Sequence, residues 1–153
     1  MENIKKNHKL ILSKINEIHK TSIFSKHKLP KLVAVSKKQE DYKIENALAC
    51  GQKIFGENRV QEAINRWQKR IENNIDLELR LIGPLQTNKV KQSLNLFDVI
   101  ETIDREKIAI EIAKNLHLKT KTKSFYIQVN TGNEPQKSGI NPCLLYTSDA
   151  ADD

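Results

Sequence analysis

The chain has little of what marks several protein classes. Its 153 residues include two cysteines, four prolines and five glycines, and aromatic residues make up only 5%. Cys50 and Cys143 are too few for a disulfide framework and lack metal-ligand spacing. No apolar run approaches the roughly 20 residues needed to cross a bilayer. No apolar stretch of about 7–15 residues follows the Lys-rich N-terminus, which argues against a secretory signal. These absences exclude a membrane span, a secreted disulfide scaffold and a zinc finger. A cytoplasmic protein is the expectation.

What is present suits one globular domain with a real core: 38% of residues are hydrophobic and 29% charged. The net charge is +7, from 26 Lys and Arg against 19 Asp and Glu. The 21 lysines are scattered, and with 18 Ile and 14 Asn they have the look of an AT-rich coding bias. A scattered excess reads as a solvated surface. A basic nucleic-acid-binding module is the lesser alternative, since no recognition motif accompanies the charge.

Residues 143–153, CLLYTSDAADD, carry three Asp and no Lys or Arg, which leaves the first 142 residues with 26 basic and 16 acidic side chains. The composition changes abruptly at Cys143, and the string resembles the translation of a transposase sequencing adaptor. Residues 143–153 are therefore read as a non-native tail on a 1–142 body, and the gene as interrupted after Pro142.

Along that body, helices and strands take turns. Ile4, Ile11, Ile15 and Ile18 mark one face of a helix. Leu32–Val35 reads as a strand, and Asp41–Cys50 as a helix stopped by Gly51. Ile54–Phe55 is a short strand, 60–71 a helix, 79–82 a strand closed by Gly83-Pro84, and 88–94 a short helix. Val99–Ile100 is a strand, 105–118 a helix aligning Ile108, Ile112 and Leu116, and 125–129 a strand. Strands separated by helices imply βαβ units and a parallel sheet. No GxGxxG opens the second helix, so a dinucleotide fold lacks its signature. The α/β class expected is a partial (β/α)8 TIM-type barrel of about five βα units, since whole barrels take about 250 residues.

Polar residues follow each strand: Ser36-Lys37, Gly56-Glu57-Asn58, Gly83-Pro84-Leu85-Gln86, Thr102 with Asp104, and Asn130-Thr131-Gly132. In parallel α/β folds these ends share the face where sites are built. Gly, Asn, Asp and Pro are also ordinary turn residues. Lys37 is no turn former; it is either a snorkelling surface lysine or an amine held for Schiff-base chemistry with a carbonyl cofactor.

The motifs AVSK (34–37), FGENRVQE (55–62), LIGPLQTNKVK (81–91) and QVNTGNEPQKSGI (128–140) together resemble the pyridoxal phosphate homeostasis protein family, in order and spacing. That resemblance implies a single barrel like the N-terminal domain of alanine racemase. It implies pyridoxal 5′-phosphate (PLP) as cofactor, and a carrier or regulator of vitamin B6 homeostasis without established catalysis. Lys37 then corresponds to the Schiff-base lysine, Asn58 lies beside the cofactor, and Gly83 and Gln86 contribute to the mouth. Lys137 and Gly139 match the family's K-S-G loop. Arg80 departs from the aromatic or His of many relatives. The family's phosphate cradle, and its Arg facing the pyridine nitrogen, belong to the last third of the domain, beyond Pro142. The fragment is thus expected to be incompetent alone. Implied partners are PLP and apo PLP-dependent enzymes, with a monomeric state. The rival reading is an amino-acid racemase, which needs Tyr42 or Tyr126 opposite Lys37.

Overall fold

In the computed structural model, residues 2–73, 76–117 and 119–144 are described. They form α1 (Glu2–Thr21), β1 (Ala34–Val35), α2 (Asp41–Ala49), β2 (Ile54–Glu57), α3 (Val60–Asn73), β3 (Glu78–Leu81), a 3₁₀ turn (Thr87–Lys89), α4 (Val90–Leu96), β4 (Val99–Ile103), α5 (Glu106–Asn115) and β5 (Ser124–Ile127). The described strands are hydrogen-bonded in chain order, β1-β2-β3-β4-β5, and the pairs β1–β2, β3–β4 and β4–β5 are parallel. Helices alternating with parallel strands in this order are the α/β pattern of a (β/α)8-type barrel.

The chain divides into two compact units, Met1–Gly56 and the residues from Glu57 on. In the first, α1 packs on α2 and Ala34 pairs with Phe55. Ile4 and Ile15 of the apolar stripe on α1 are half-buried, whereas Ile11 and Ile18 are exposed. Gly51, at φ 85°, ends α2 as its sequence predicts, donating its N–H to Leu48 O at 2.8 Å.

Gln52 joins the parts of this unit. It is only 5% exposed, and its Nε2 donates to Leu32 O at 2.8 Å and Ile54 O at 2.7 Å. Its Oε1 therefore faces His8 Nε2, 3.0 Å away, and accepts from it. His8 is thus half-buried and bonded, because α1 brings it to this amide. Gln52→Leu strips both carbonyls of their side-chain donor and is expected to cost about 1–3 kcal/mol in urea unfolding.

In the second unit, β3 alternates as a half-buried strand should: Leu79 and Leu81 are buried, Glu78 and Arg80 half-buried. The core gathers Trp67, Leu79, Leu81, Leu85, Leu94, Phe97, Ile100 and Ile108, all 1% exposed or less. Asp98 Oδ2 accepts from Leu79 N–H and from Lys121 Nζ, both at 2.8 Å, pinning the start of β3.

Element ends differ from expectation for local reasons. The last helix stops at Asn115, not 118; the Asn115 side chain donates back to Glu111 O at 2.8 Å, and Leu116 turns extended and exposed. Leu118 lies outside the described residues. Strand β4 runs on to Ile103, so Thr102 is a strand residue. Beyond β5, Val129 keeps only an isolated parallel bridge to Ile140. Of the 143–153 segment, residues 145–153 lie outside the described residues; Cys143 N–H bonds Asn141 Oδ1 at 3.0 Å.

Candidate functional site

Lys37 belongs to the first unit and stands two residues beyond the end of β1, after Ser36. Ser36 is 3% exposed and its N–H donates to Gly56 O at 3.1 Å, which continues the strand ladder by one residue. Lys37 itself is exposed. Lys37 thus offers an accessible primary amine, the group that condenses with an aldehyde.

The other expected residues lie in the second unit, where the structure brings them together. Glu57 O accepts the Ile82 N–H at 2.9 Å, so the end of β2 stays in register with the end of β3. One residue further on, Gly83 lies directly against Asn58. A Cβ at Gly83 would sit 2.2 Å from Asn58 O and 2.6 Å from Asn58 Cα. Only glycine permits this approach. Gly83 O in turn accepts from Thr102 Oγ1 at 2.6 Å, which ties in the end of β4.

Two hollows flank this junction. Asn58 and Gln86 line one of about 420 Å³, together with Arg59, Val60, Gln61, Pro84 and Lys89. Gly83 and Pro84 line the other, of about 380 Å³, with Asn130, Thr131, Glu134, Lys137 and Ser138. Pro84 borders both. The second hollow is the more polar. Its loop is braced by Asn130 Nδ2, which donates to Glu134 O at 2.8 Å, while Lys137 is ion-paired to Glu134. Arg59 is paired to Glu62 at 2.9 Å, and Lys89 Nζ donates to Gln61 Oε1 at 3.2 Å.

Arg80 forms a bridge between two carboxylates, Glu78 and Glu101; its Nη1 lies 2.8 Å from Glu101 Oε1. Burial alone would lower its pKa. The hydrogen bonds and charges of Glu101 and Glu78 outweigh burial and hold the pKa above its ordinary value. Arg80 thus has its own pair of acids.

Sequence reasoning missed Glu57 as a buried residue. It is the last residue of β2 rather than a turn residue, and it is 0% exposed. Its Oε1 accepts from Trp67 Nε1 at 2.9 Å and Arg66 Nη1 at 3.2 Å. The signal was available: Glu57 stands two residues after Phe55, on the period of a strand face turned to a helix. Tyr42 and Tyr126, the racemase candidates, are both exposed, and the Tyr42 ring lies 5.8 Å from Lys43 Nζ.

Among the described residues, no group of three or more His, Cys, Asp or Glu could hold a metal ion, and no helix is long and apolar enough to cross a membrane.

No family model matches the chain. Comparison with individual proteins is more informative. The chain is 42% identical over 118 residues to the pyridoxal phosphate homeostasis protein of Vibrio cholerae, covering 76% of this chain and 50% of that protein. It is 38% identical over 145 residues to the protein of that name from Haemophilus influenzae, covering 95% and 61%. Among solved structures it is similar to PipY of Synechococcus elongatus PCC7942 without PLP, at 35% identity and a TM-score of 0.68, covering 86% of this chain and 60% of that one. PipY with PLP bound gives 36% identity and a TM-score of 0.52, covering 66% and 47%. The chain thus spans about half to three-fifths of the length of these curated relatives. With the four motifs in order and the parallel strands to carry them, the chain is similar to the pyridoxal phosphate homeostasis proteins over the part of their length that it spans.

Proposed function

We propose that these residues carry the PLP-anchoring part of a cofactor-homeostasis protein, with Lys37 as the Schiff-base lysine. One observation carries this reading: the exposed Lys37 amine follows a short parallel strand, in a chain similar to a protein whose structure has PLP bound. PLP supplies an aldehyde and an electron-withdrawing ring. Asn58, Gly83 and Gln86 are proposed as further cofactor-binding residues, because Gly83 is pressed against Asn58, and Asn58 and Gln86 share one hollow.

The proposed role is storage and hand-over of a reactive aldehyde to apo PLP-dependent enzymes, by a monomer in the cytoplasm, rather than catalysis. Stereospecific proton transfer needs a positioned acid and base. The exposure of Tyr42 and Tyr126 favours a non-catalytic role over a racemase.

The test uses residues 1–142 joined to the C-terminal part of a full-length relative. After loading with PLP and removal of the unbound cofactor, this protein should keep an absorbance between about 330 and 430 nm, and should not racemise alanine faster than free PLP. Turnover near ~1 s⁻¹, in the range of true enzymes, contradicts the non-catalytic role. Absence of the band contradicts cofactor binding.

A further inference from the structure

We propose that Glu57 is the positioning residue of the Asn58–Gly83 junction, acting through α3 rather than on any ligand. The proposal deepens the cofactor reading and rests on it for what Asn58 does once placed.

A carboxylate that is 0% exposed is costly unless hydrogen-bonded and paired. One oxygen of Glu57 finds such partners on α3: Oε1 accepts from the indole N–H of Trp67 and from the guanidinium of Arg66. Trp67 is itself 1% exposed, and Arg70 lies over its ring at 5.9 Å. The side chain of Glu57 therefore clamps the last residue of β2 to α3.

The backbone of the same residue faces β3, where its carbonyl accepts from Ile82 N–H. The next residue is Asn58, whose Cα and carbonyl leave no room for a Cβ on Gly83. A clamp on one residue thus sets where the Asn58 backbone meets the Gly83 backbone, and with it the shared wall of the two hollows. A hydrophobic residue at 57 would fill the same volume but lack the directional bond to the indole.

The test needs no ligand and uses the full 153-residue chain. Glu57→Leu and Trp67→Phe each remove the same bond from opposite ends, while Phe97→Leu serves as a core control in the same unit. In nitrogen–proton NMR spectra, both clamp variants should displace the Asn58 backbone and side-chain amide resonances. They should also speed exchange of the Ile82 amide by about tenfold beyond what global stability accounts for. Phe97→Leu should leave the Asn58 resonances in place and change Ile82 exchange only in proportion to its stability loss. If Glu57→Leu fails to fold, Trp67→Phe decides. Unmoved Asn58 resonances in the folded clamp variants, or Ile82 exchange that follows stability as in the control, overturn the proposal. Failure of PLP to label Lys37 overturns the cofactor reading instead and leaves this outcome standing on the ligand-free spectra.

Discussion

Gly83→Ala is expected to disrupt the junction of the second and third strand ends. The added Cβ would meet Asn58 O at 2.2 Å, Asn58 Cα at 2.6 Å and Asn58 C at 2.8 Å. All three are backbone atoms, so no side-chain rotation relieves the contact. The neighbours are held as well, Ile82 by the Glu57 carbonyl and Gly83 O by Thr102. Overpacking a fixed site costs about 1–3 kcal/mol and sometimes more. For a chain of this size, each kcal/mol lowers the melting temperature by roughly 2–4 °C. A loss of about 6–12 °C is therefore expected, at the upper end of that range. Scanning calorimetry measures it, and a variant that melts with the parent contradicts the close approach.

The second large effect concerns the anchor. In residues 1–142 joined to the C-terminal part of a relative, Lys37→Arg should abolish covalent PLP binding while leaving the fold intact. Arginine keeps the positive charge and much of the reach of lysine, but its guanidinium stays protonated at every accessible pH and offers no free amine to an aldehyde. Lys37 is exposed in a loop beyond β1, so the exchange removes no buried contact. Spectrophotometric titration should show the lysine-linked band lost and the melting temperature within a few degrees of the parent. The 153-residue chain by itself, which spans only 50–61% of the relatives' length, should take up PLP no more tightly than an exposed lysine does. Persistence of the band in Lys37→Arg would assign the anchor to another amine.

How far the sequence revealed this structure differs from residue to residue. The alternation of elements was legible because apolar spacing sets it: Leu79 and Leu81 alternate on β3, and Ile108 and Ile112 share a buried face of α5. Lys37 stood out because lysine is not a favoured turn residue, although the structure places it in a turn closed by the Gln39 N–H donating to Ser36 O at 3.1 Å. Other features depended on contacts far along the chain. Nothing near Gly83 in sequence indicates that Asn58, 25 positions earlier, occupies the space a side chain would need. Glu57 read as a turn residue because its partners, Arg66 and Trp67, become neighbours only when α3 folds back over β2. The bond between His8 and Gln52 spans 44 positions, so no local pattern signals it. The helix ends slipped where a side chain competed locally, as Asn115 does at the end of α5.

Borohydride reduction followed by peptide mapping identifies the lysine that anchors the cofactor. The protein is residues 1–142 extended to the relatives' length, saturated with PLP and then reduced, which turns the imine into a stable secondary amine. One pyridoxyl label is expected, on the peptide carrying Ala34-Val35-Ser36-Lys37. A label recovered mainly on another of the 21 lysines, such as Lys89 or Lys137 beside the two hollows, would contradict it.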